Sequence, residues 1–128
     1  MDNTGSSGNV CDEGYRGKSA FSELETKAMR YFVQNHPKLK IALNLHATGN
    51  LLVTPFNYSP DKTANELKTF YPEASDFYDD IFNNAGFPDT GVSGSSIITK
   101  GKTANGEASD WMLHEHGVYA MSPELGNS

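Results

Sequence analysis

Two short apolar runs, separated by a turn of small residues, constrain the fold of this chain more than any other feature. The first, Lys40 to Leu45, is bounded by Pro37 and Gly49, and the second, Leu51 to Phe56, follows at once. Runs of this length and composition predict core β-strands. His46 stands where the first run ends, and a histidine at the carboxyl end of a strand is well placed to hold a metal.

The first half of the chain also predicts an irregular segment and one helix. Residues 1–18 are rich in Gly, Ser, Asn and Asp, which favour turns, so we expect an irregular surface segment there. Ser22 with Glu25 forms a capping box, and the helix runs to about His36. Its apolar residues recur at helical spacing and predict one buried face, made of Leu24, Ala28 and Phe32.

Two more helices are predicted in the middle of the chain. A short one extends to about Phe70 behind a capping box of Thr63 and Glu66, and a longer one runs from Pro72 to Gly86. The apolar stripe of the longer helix consists of Phe77, Tyr78, Ile81 and Phe82.

The last third predicts a helix between two strands. Ser96 to Thr99 forms a brief strand, Trp111 to Glu115 forms a helix capped by Ser109 or Asp110, and Val118 to Met121 forms the last strand. Helices that alternate with strands imply an α/β fold, a mixed β-sheet flanked by helices.

Length, charge and cysteine content restrict the class of protein. The 128 residues make one small domain or part of one, and a formal net charge of −6 without a Lys/Arg block argues against a nucleic-acid partner. The apolar runs are too short for a membrane span, and the polar residues 1–9 do not resemble an export signal. The single cysteine, Cys11, is a free thiol or half of a disulfide whose partner lies outside this stretch.

Five blocks, in their order and spacing, resemble the C-terminal half of a zinc metallocarboxypeptidase catalytic domain. The resemblance spans nearly the whole chain and implies an incomplete α/β domain with a mixed sheet, residues 1–128 being part of one peptidase domain. It also implies a Zn²⁺-dependent hydrolase that removes residues from peptide or protein C-termini, in an extracellular or secretory/lysosomal compartment. The blocks are Tyr15–Gly17, Phe21–Thr26, Ala42–Pro55, Ala108–Trp111 and Tyr119–Gly126.

The resemblance assigns the chemistry to two residues. His46 corresponds to the third zinc ligand, whereas the first two ligands come from a His-x-x-Glu motif that this chain does not contain. Glu124 corresponds to the general base, which takes a proton from water and delivers it to the departing amine. We expect both side chains at the same end of the sheet, in one cleft, with the rest of the catalytic domain outside this chain.

Two further positions correspond to substrate contacts. Lys102 stands where many family members carry a tyrosine that caps the substrate's terminal carboxylate; an ammonium can bond a carboxylate but lacks the weakly acidic phenol. Ser109 corresponds to the bottom of the pocket for the substrate's terminal side chain, although it also suits a helix cap. Because Glu107 is not at the matching position, the side-chain preference stays open.

Two alternatives are consistent with the same residues. The chain could belong to a catalytically inactive relative that keeps the fold as a binding or structural module, which would account for the missing ligands and for Lys102. It could keep zinc but act on another substrate, such as side-chain glutamates or small acylated amino acids. His114-Glu115-His116 resembles a metal cluster, but residues two apart on a helix point to different faces, which favours an ordinary surface.

Overall fold

A computed structural model describes residues 6–58, 64–85 and 104–126 of the chain. Several predicted features lie outside these ranges: Thr63, Gly86, the strand Ser96 to Thr99, and Lys102. Within these ranges the helices are α1 (Leu24–Asn35), α2 (Ala64–Phe70), α3 (Pro72–Ala85) and α4 (Ala108–His116), and the strands are β1 (Ile41–Leu43), β2 (Leu51–Val53) and β3 (Tyr119–Glu124).

The described strands form one mixed sheet in the order β1-β3-β2. β3 lies in the centre, parallel to β1 with Ile41 opposite Tyr119, and antiparallel to β2 with Leu51 opposite Glu124. The α/β fold with a mixed sheet is confirmed. No helix within the described ranges is long and apolar enough to cross a membrane.

The main core lies between β2, β3 and the helices α2 to α4. It is built around Tyr78, which is 1% exposed and donates a hydrogen bond from its hydroxyl to the Ala120 carbonyl (2.9 Å). Burial, reinforced by the nearby Tyr119 and Asp110, raises the pKa of the Tyr78 hydroxyl. The predicted stripe of α3 is confirmed, and the buried members of the cluster are Leu52, Phe56, Leu67, Ala74, Tyr78, Phe82, Leu113 and Met121.

A smaller core joins α1 and α4 to β3. Val33, Met112, Val118 and Ala120 form it, and Ala42 packs against it. The irregular N-terminal segment meets the same region through Phe21, whose ring packs edge-on against Trp111 at 4.9 Å between centroids. Residues 6–18 contain turns and one isolated bridge, from Ser7 to Tyr15.

The prediction for α1 is wrong in two respects. The helix begins at Leu24 with Glu23 as N-cap, and the Ser22 hydroxyl donates to the Glu23 carboxylate (2.7 Å) rather than to a helix N–H. The expected buried face is open to solvent, since Leu24 is 78% and Phe32 48% exposed and α1 buries Val33 alone among its described residues. The physical reason is that no described segment covers this face.

The first apolar run also departs from the prediction of a core strand. Ile41, Leu43 and Leu45 are 48%, 59% and 64% exposed, because β1 is an edge of the described sheet and one of its faces is uncovered. The second run fulfils the prediction: Leu52 and Val53 are 1% and 6% exposed.

α4 and β3 are both longer than predicted. Glu107 is the N-cap of α4, so Ser109 and Asp110 lie inside its first turn instead of capping it. The helix ends at Gly117 as predicted, where φ is +61° and the Gly117 N–H donates to the Leu113 carbonyl (3.1 Å). β3 continues to Glu124 because Pro123 lies opposite Leu52 of β2, while its carbonyl accepts from the His46 N–H on the other side.

Candidate functional site

His46 and Glu124 lie side by side beyond the end of the paired segment of β1 and β3. The His46 N–H donates to the Pro123 carbonyl and the Leu125 N–H donates to the His46 carbonyl, both at 2.9 Å, so the parallel pairing extends to these two residues. Residues paired in this way present their side chains to the same face of a sheet. The structure therefore brings both predicted residues to one end of the sheet, as the sequence predicted.

Both groups are accessible to a ligand. His46 is exposed and Glu124 is half-buried. The His46 ring is held from one side, since its Nε2 lies 2.8 Å from the Asn44 side-chain amide. Within the described residues no hydrogen bond engages its Nδ1, so this nitrogen is the one that can bind a metal.

A neutral histidine that binds a metal through Nδ1 carries its proton on Nε2. In the structure the Asn44 Nδ2 lies against Nε2 and donates to it, so an Nε2 that carries the hydrogen requires the Asn44 amide to turn and present its oxygen. A hydrogen bond of this kind fixes the tautomer and the ring orientation of a ligating histidine. Asn44 is two residues before His46, a contact that sequence reasoning missed although both residues follow the apolar run.

The described residues could supply one ligand of a zinc site. A catalytic zinc takes three protein ligands, and no group of three His, Cys, Asp or Glu side chains suited to a metal occurs in ranges 6–58, 64–85 and 104–126. His46 fits as one ligand because its ring is accessible and oriented. A zinc ion bound there would need two ligands from outside the described residues.

The Ser109 hydroxyl forms a hydrogen bond to a neighbouring carboxylate. Its hydroxyl donates to Oε2 of Glu107 (3.0 Å), and the Asn57 side-chain Nδ2 lies 3.5 Å from Oε1 of the same carboxylate. Ser109 is buried and Glu107 half-buried. Sequence reasoning set Glu107 aside; its position two residues before Ser109 was the available signal.

Asp110 anchors the segment that follows β2. Both of its carboxylate oxygens accept from the Asn57 N–H, at 3.1 and 2.9 Å. Burial raises the pKa of Asp110 to about 7; the Asn57 N–H opposes this rise, the nearby Glu107 adds to it, and a backbone bond from Tyr58 lowers the pKa again. Glu107, Asp110 and Asn57 therefore form a compact acidic site at the first turn of α4.

Lys102 and the segment His114–His116 are the remaining predicted positions. Lys102 lies outside the described residues. His114, Glu115 and His116 are exposed, with the His114 ring 2.8 Å from the Tyr71 hydroxyl and the His116 ring edge-on to Trp111. His114 and Glu115 line a surface cavity of about 640 Å³ together with Phe56, Tyr58, Phe70, Tyr71, Asp110 and Trp111.

Similar proteins are found by sequence and by structure. The family model described as zinc carboxypeptidase matches residues 1–128. Carboxypeptidase A1 of Bos taurus is 33% identical over 125 residues, which cover 94% of this chain and 28% of the relative. Carboxypeptidase B of Bos taurus is 31% identical over 124 residues, with the same two coverages.

The structural likeness has the same extent. The crystal structure of thrombin activatable fibrinolysis inhibitor has a TM-score of 0.68 and 27% identity, and the match covers 97% of this chain and 31% of that one. The chain thus spans between a quarter and a third of the proteins that it resembles. Since the family model matches every residue, from 1 to 128, the chain belongs to the zinc carboxypeptidase family.

Proposed function

We propose that this chain is part of the catalytic domain of a zinc-dependent metallocarboxypeptidase that removes C-terminal residues from peptides and proteins. The observation that carries the proposal is the adjacency of His46 and Glu124 at one end of the sheet, where His46 forms backbone hydrogen bonds to the two neighbours of Glu124, Pro123 and Leu125. One residue offers a metal ligand and the other a carboxylate for proton transfer. Membership of the zinc carboxypeptidase family supports the same reaction.

In this proposal three described residues have separate roles. His46 would hold zinc through Nδ1, and the Asn44 amide beside Nε2 would orient its ring. When bound, zinc lowers the pKa of a water molecule towards neutrality and polarises the substrate carbonyl. Glu124 accepts the proton of the attacking water and delivers it to the amine that leaves when the peptide bond breaks.

Two further residues are proposed as substrate contacts. Lys102 would bond the terminal carboxylate of the peptide with its ammonium, in place of the tyrosine that many family members carry. Ser109 would lie at the end of the pocket for the terminal side chain, where its hydroxyl already bonds Glu107.

The exposed apolar residues of α1 and β1 support the proposal that the chain is part of a larger domain. Leu24, Phe32, Leu43 and Leu45 lie between 48% and 78% exposed. Several large apolar side chains exposed on two neighbouring elements of the sequence are typical of a surface on which other protein packs. We propose that the rest of the catalytic domain covers it and supplies the two missing zinc ligands.

The proposal is tested in the complete protein with two variants. Glu124→Gln keeps the shape and most hydrogen bonds but removes the proton acceptor, so kcat on a peptide should fall by about 10²-fold to 10⁴-fold while zinc is retained. His46→Ala should instead lose zinc, because two remaining ligands rarely hold a catalytic ion. Zinc content by atomic absorption is measured beside peptide hydrolysis.

Glu115→Gln and His116→Ala are matched controls, since both residues are exposed and lie on α4. They should leave zinc content and hydrolysis unchanged. Peptide hydrolysis by Glu124→Gln at the wild-type rate would rule out Glu124 as the base. A wild-type protein that holds zinc but hydrolyses no peptide would instead identify an inactive relative.

A further inference from the structure

Phe21 has a backbone conformation that a bulky side chain rarely adopts. Its φ is +56°, in the left-handed region. Among the described non-glycine residues Asn50 shares this feature at +53°, but asparagine tolerates the region, whereas phenylalanine is an outlier there. A residue held in this way costs free energy and persists only where its surroundings compensate for that cost. The compensation must come from the contacts of Phe21.

The Phe21 ring lies between α1 and α4. Its partner on α4 is Trp111, with 4.9 Å between the ring centroids and 67° between the ring planes, an edge-on contact. On the α1 side the Arg30 guanidinium lies 5.2 Å from the centre of the Phe21 ring. Both kinds of contact are attractive. The ring therefore connects the segment before α1 to α4.

The first turn of α4 has weak hydrogen bonds of its own. Glu107 is the N-cap, and its side chain makes no capping hydrogen bond to the helix. The backbone bond that closes the turn, from the Trp111 N–H to the Glu107 carbonyl, measures 3.4 Å. Strong bonds of this type measure about 2.7 to 3.2 Å. The position of this turn therefore depends on contacts from outside the helix.

Two contacts from outside α4 lie on either side of this turn. The Asp110 carboxylate accepts from the Asn57 N–H at 2.9 Å, and Phe21 packs against Trp111, which also touches the smaller core. The other ring close to Trp111, that of His116, belongs to α4 itself and cannot fix the helix relative to its surroundings. Phe21 thus ties the start of α4 to the N-terminal segment.

We infer that Phe21 is a positioning residue, which packs against Trp111 and so fixes the first turn of α4 and with it Ser109. The inference rests on the proposed function, in which Ser109 contacts the substrate. Without the Phe21 ring the turn has more conformations, and only a fraction of the molecules is ready to bind. Substrate binding is then weaker. His46 and Glu124 are unaffected, because backbone pairing positions them.

The test measures kcat and KM of the complete, zinc-loaded protein on one peptide. Phe21→Ala removes the ring, so KM should rise by about 3-fold to 10-fold, the equivalent of one aromatic pair, while kcat stays within about twofold. Phe21→Tyr keeps the ring and should restore KM to within about twofold of wild type. Val10→Ala, in the same segment and 70% exposed, is the matched control and should leave both constants unchanged.

Further variants show whether Phe21 acts through Trp111. In a Trp111→Leu background, Phe21→Ala should change KM by less than about 1.5-fold, because the partner of the ring is already gone. Phe21→Gly keeps the inference testable if Phe21→Ala fails to fold, since glycine adopts a positive φ without strain and also lacks the ring. It should raise KM as Phe21→Ala does.

The outcomes separate this inference from the proposed function. A wild-type KM in Phe21→Ala or Phe21→Gly would overturn the inference and leave the carboxypeptidase activity standing. Failure of Phe21→Tyr to restore KM, or a full rise in KM on Phe21→Ala in the Trp111→Leu background, would overturn it as well. Absence of peptide hydrolysis by the wild-type protein would overturn the proposed function and, with it, this inference.

Discussion

The buried carboxylate of Asp110 should make the stability of the protein fall as pH rises towards neutrality. Burial is the largest cause that raises its pKa from 3.8 to about 7 in the folded state. An acid whose pKa is raised on folding holds its proton in the native state after the unfolded chain has lost it. The free energy of unfolding therefore decreases between pH 3.8 and about pH 7, and Asp110 causes no further change at higher pH.

The size of the effect follows from the two pKa values. One pKa unit corresponds to about 1.4 kcal/mol, and integration between about pH 4.5 and about pH 7.5 gives a loss of roughly 3 kcal/mol from this residue. Other carboxylates titrate in the same range, so the contribution of Asp110 must be isolated. Asp110→Asn does so because the amide has no proton to lose and still offers one oxygen to the Asn57 N–H.

The assay is denaturant unfolding of the complete protein and of Asp110→Asn across this pH range. We expect the variant to be less stable than the wild type at low pH, where it loses one acceptor. As pH rises, the free energy of unfolding of the variant should increase by roughly 3 kcal/mol relative to that of the wild type. Glu115→Gln is the control, and as an exposed substitution it should stay within about 0.5 kcal/mol of the wild type throughout. If the free energies of unfolding of wild type and Asp110→Asn differed by a constant amount at all pH values, a raised pKa of Asp110 would be refuted. If the wild type gained stability relative to the variant as pH rises, the pKa of Asp110 would be lowered.

Two other substitutions probe the zinc ligand and the core. Asn44→Leu removes the partner of His46 Nε2 and should weaken zinc binding by about 10-fold to 100-fold in a chelator competition, whereas Asn84→Leu on the exposed side of α3 should not. Unchanged zinc affinity would show that Asn44 does not orient the ring. Tyr78→Phe leaves the Ala120 carbonyl without its donor and should lower the free energy of unfolding by about 1 to 2 kcal/mol, so an unchanged unfolding midpoint would contradict the importance of this bond.

The elements that could be predicted from the sequence are those whose apolar pattern is complete within the chain. The stripe of α3 and the second apolar run are buried as predicted, because their partners, α2, α4 and β3, are all present. α1 and β1 were assigned the correct secondary structure but the wrong burial. Local periodicity reports which face is apolar, whereas burial also depends on what packs against that face.

One part of the candidate site could be predicted from the sequence and another part could not. The placement of His46 and Glu124 followed from their positions at the ends of two predicted strands, together with the family resemblance. The acidic site could not be predicted, because it joins residues separated by 50 and 53 positions, Asn57 to Glu107 and Asn57 to Asp110. No periodicity encodes a contact of that range, and a capping preference for Ser109 or Asp110 indicated the wrong helix start.

Different parts of the fold position the pair His46 and Glu124 and the acidic site at the first turn of α4. Backbone pairing with β3 sets the positions of His46 and Glu124, so a side chain at the start of α4 does not alter them. Side-chain bonds between the exit of β2 and the first turn of α4 position Glu107 and Asn57. Substitution of Glu124 should therefore leave the acidic site intact, so a loss of peptide hydrolysis in Glu124→Gln would report on the proposed proton transfer and not on a disturbance at the start of α4.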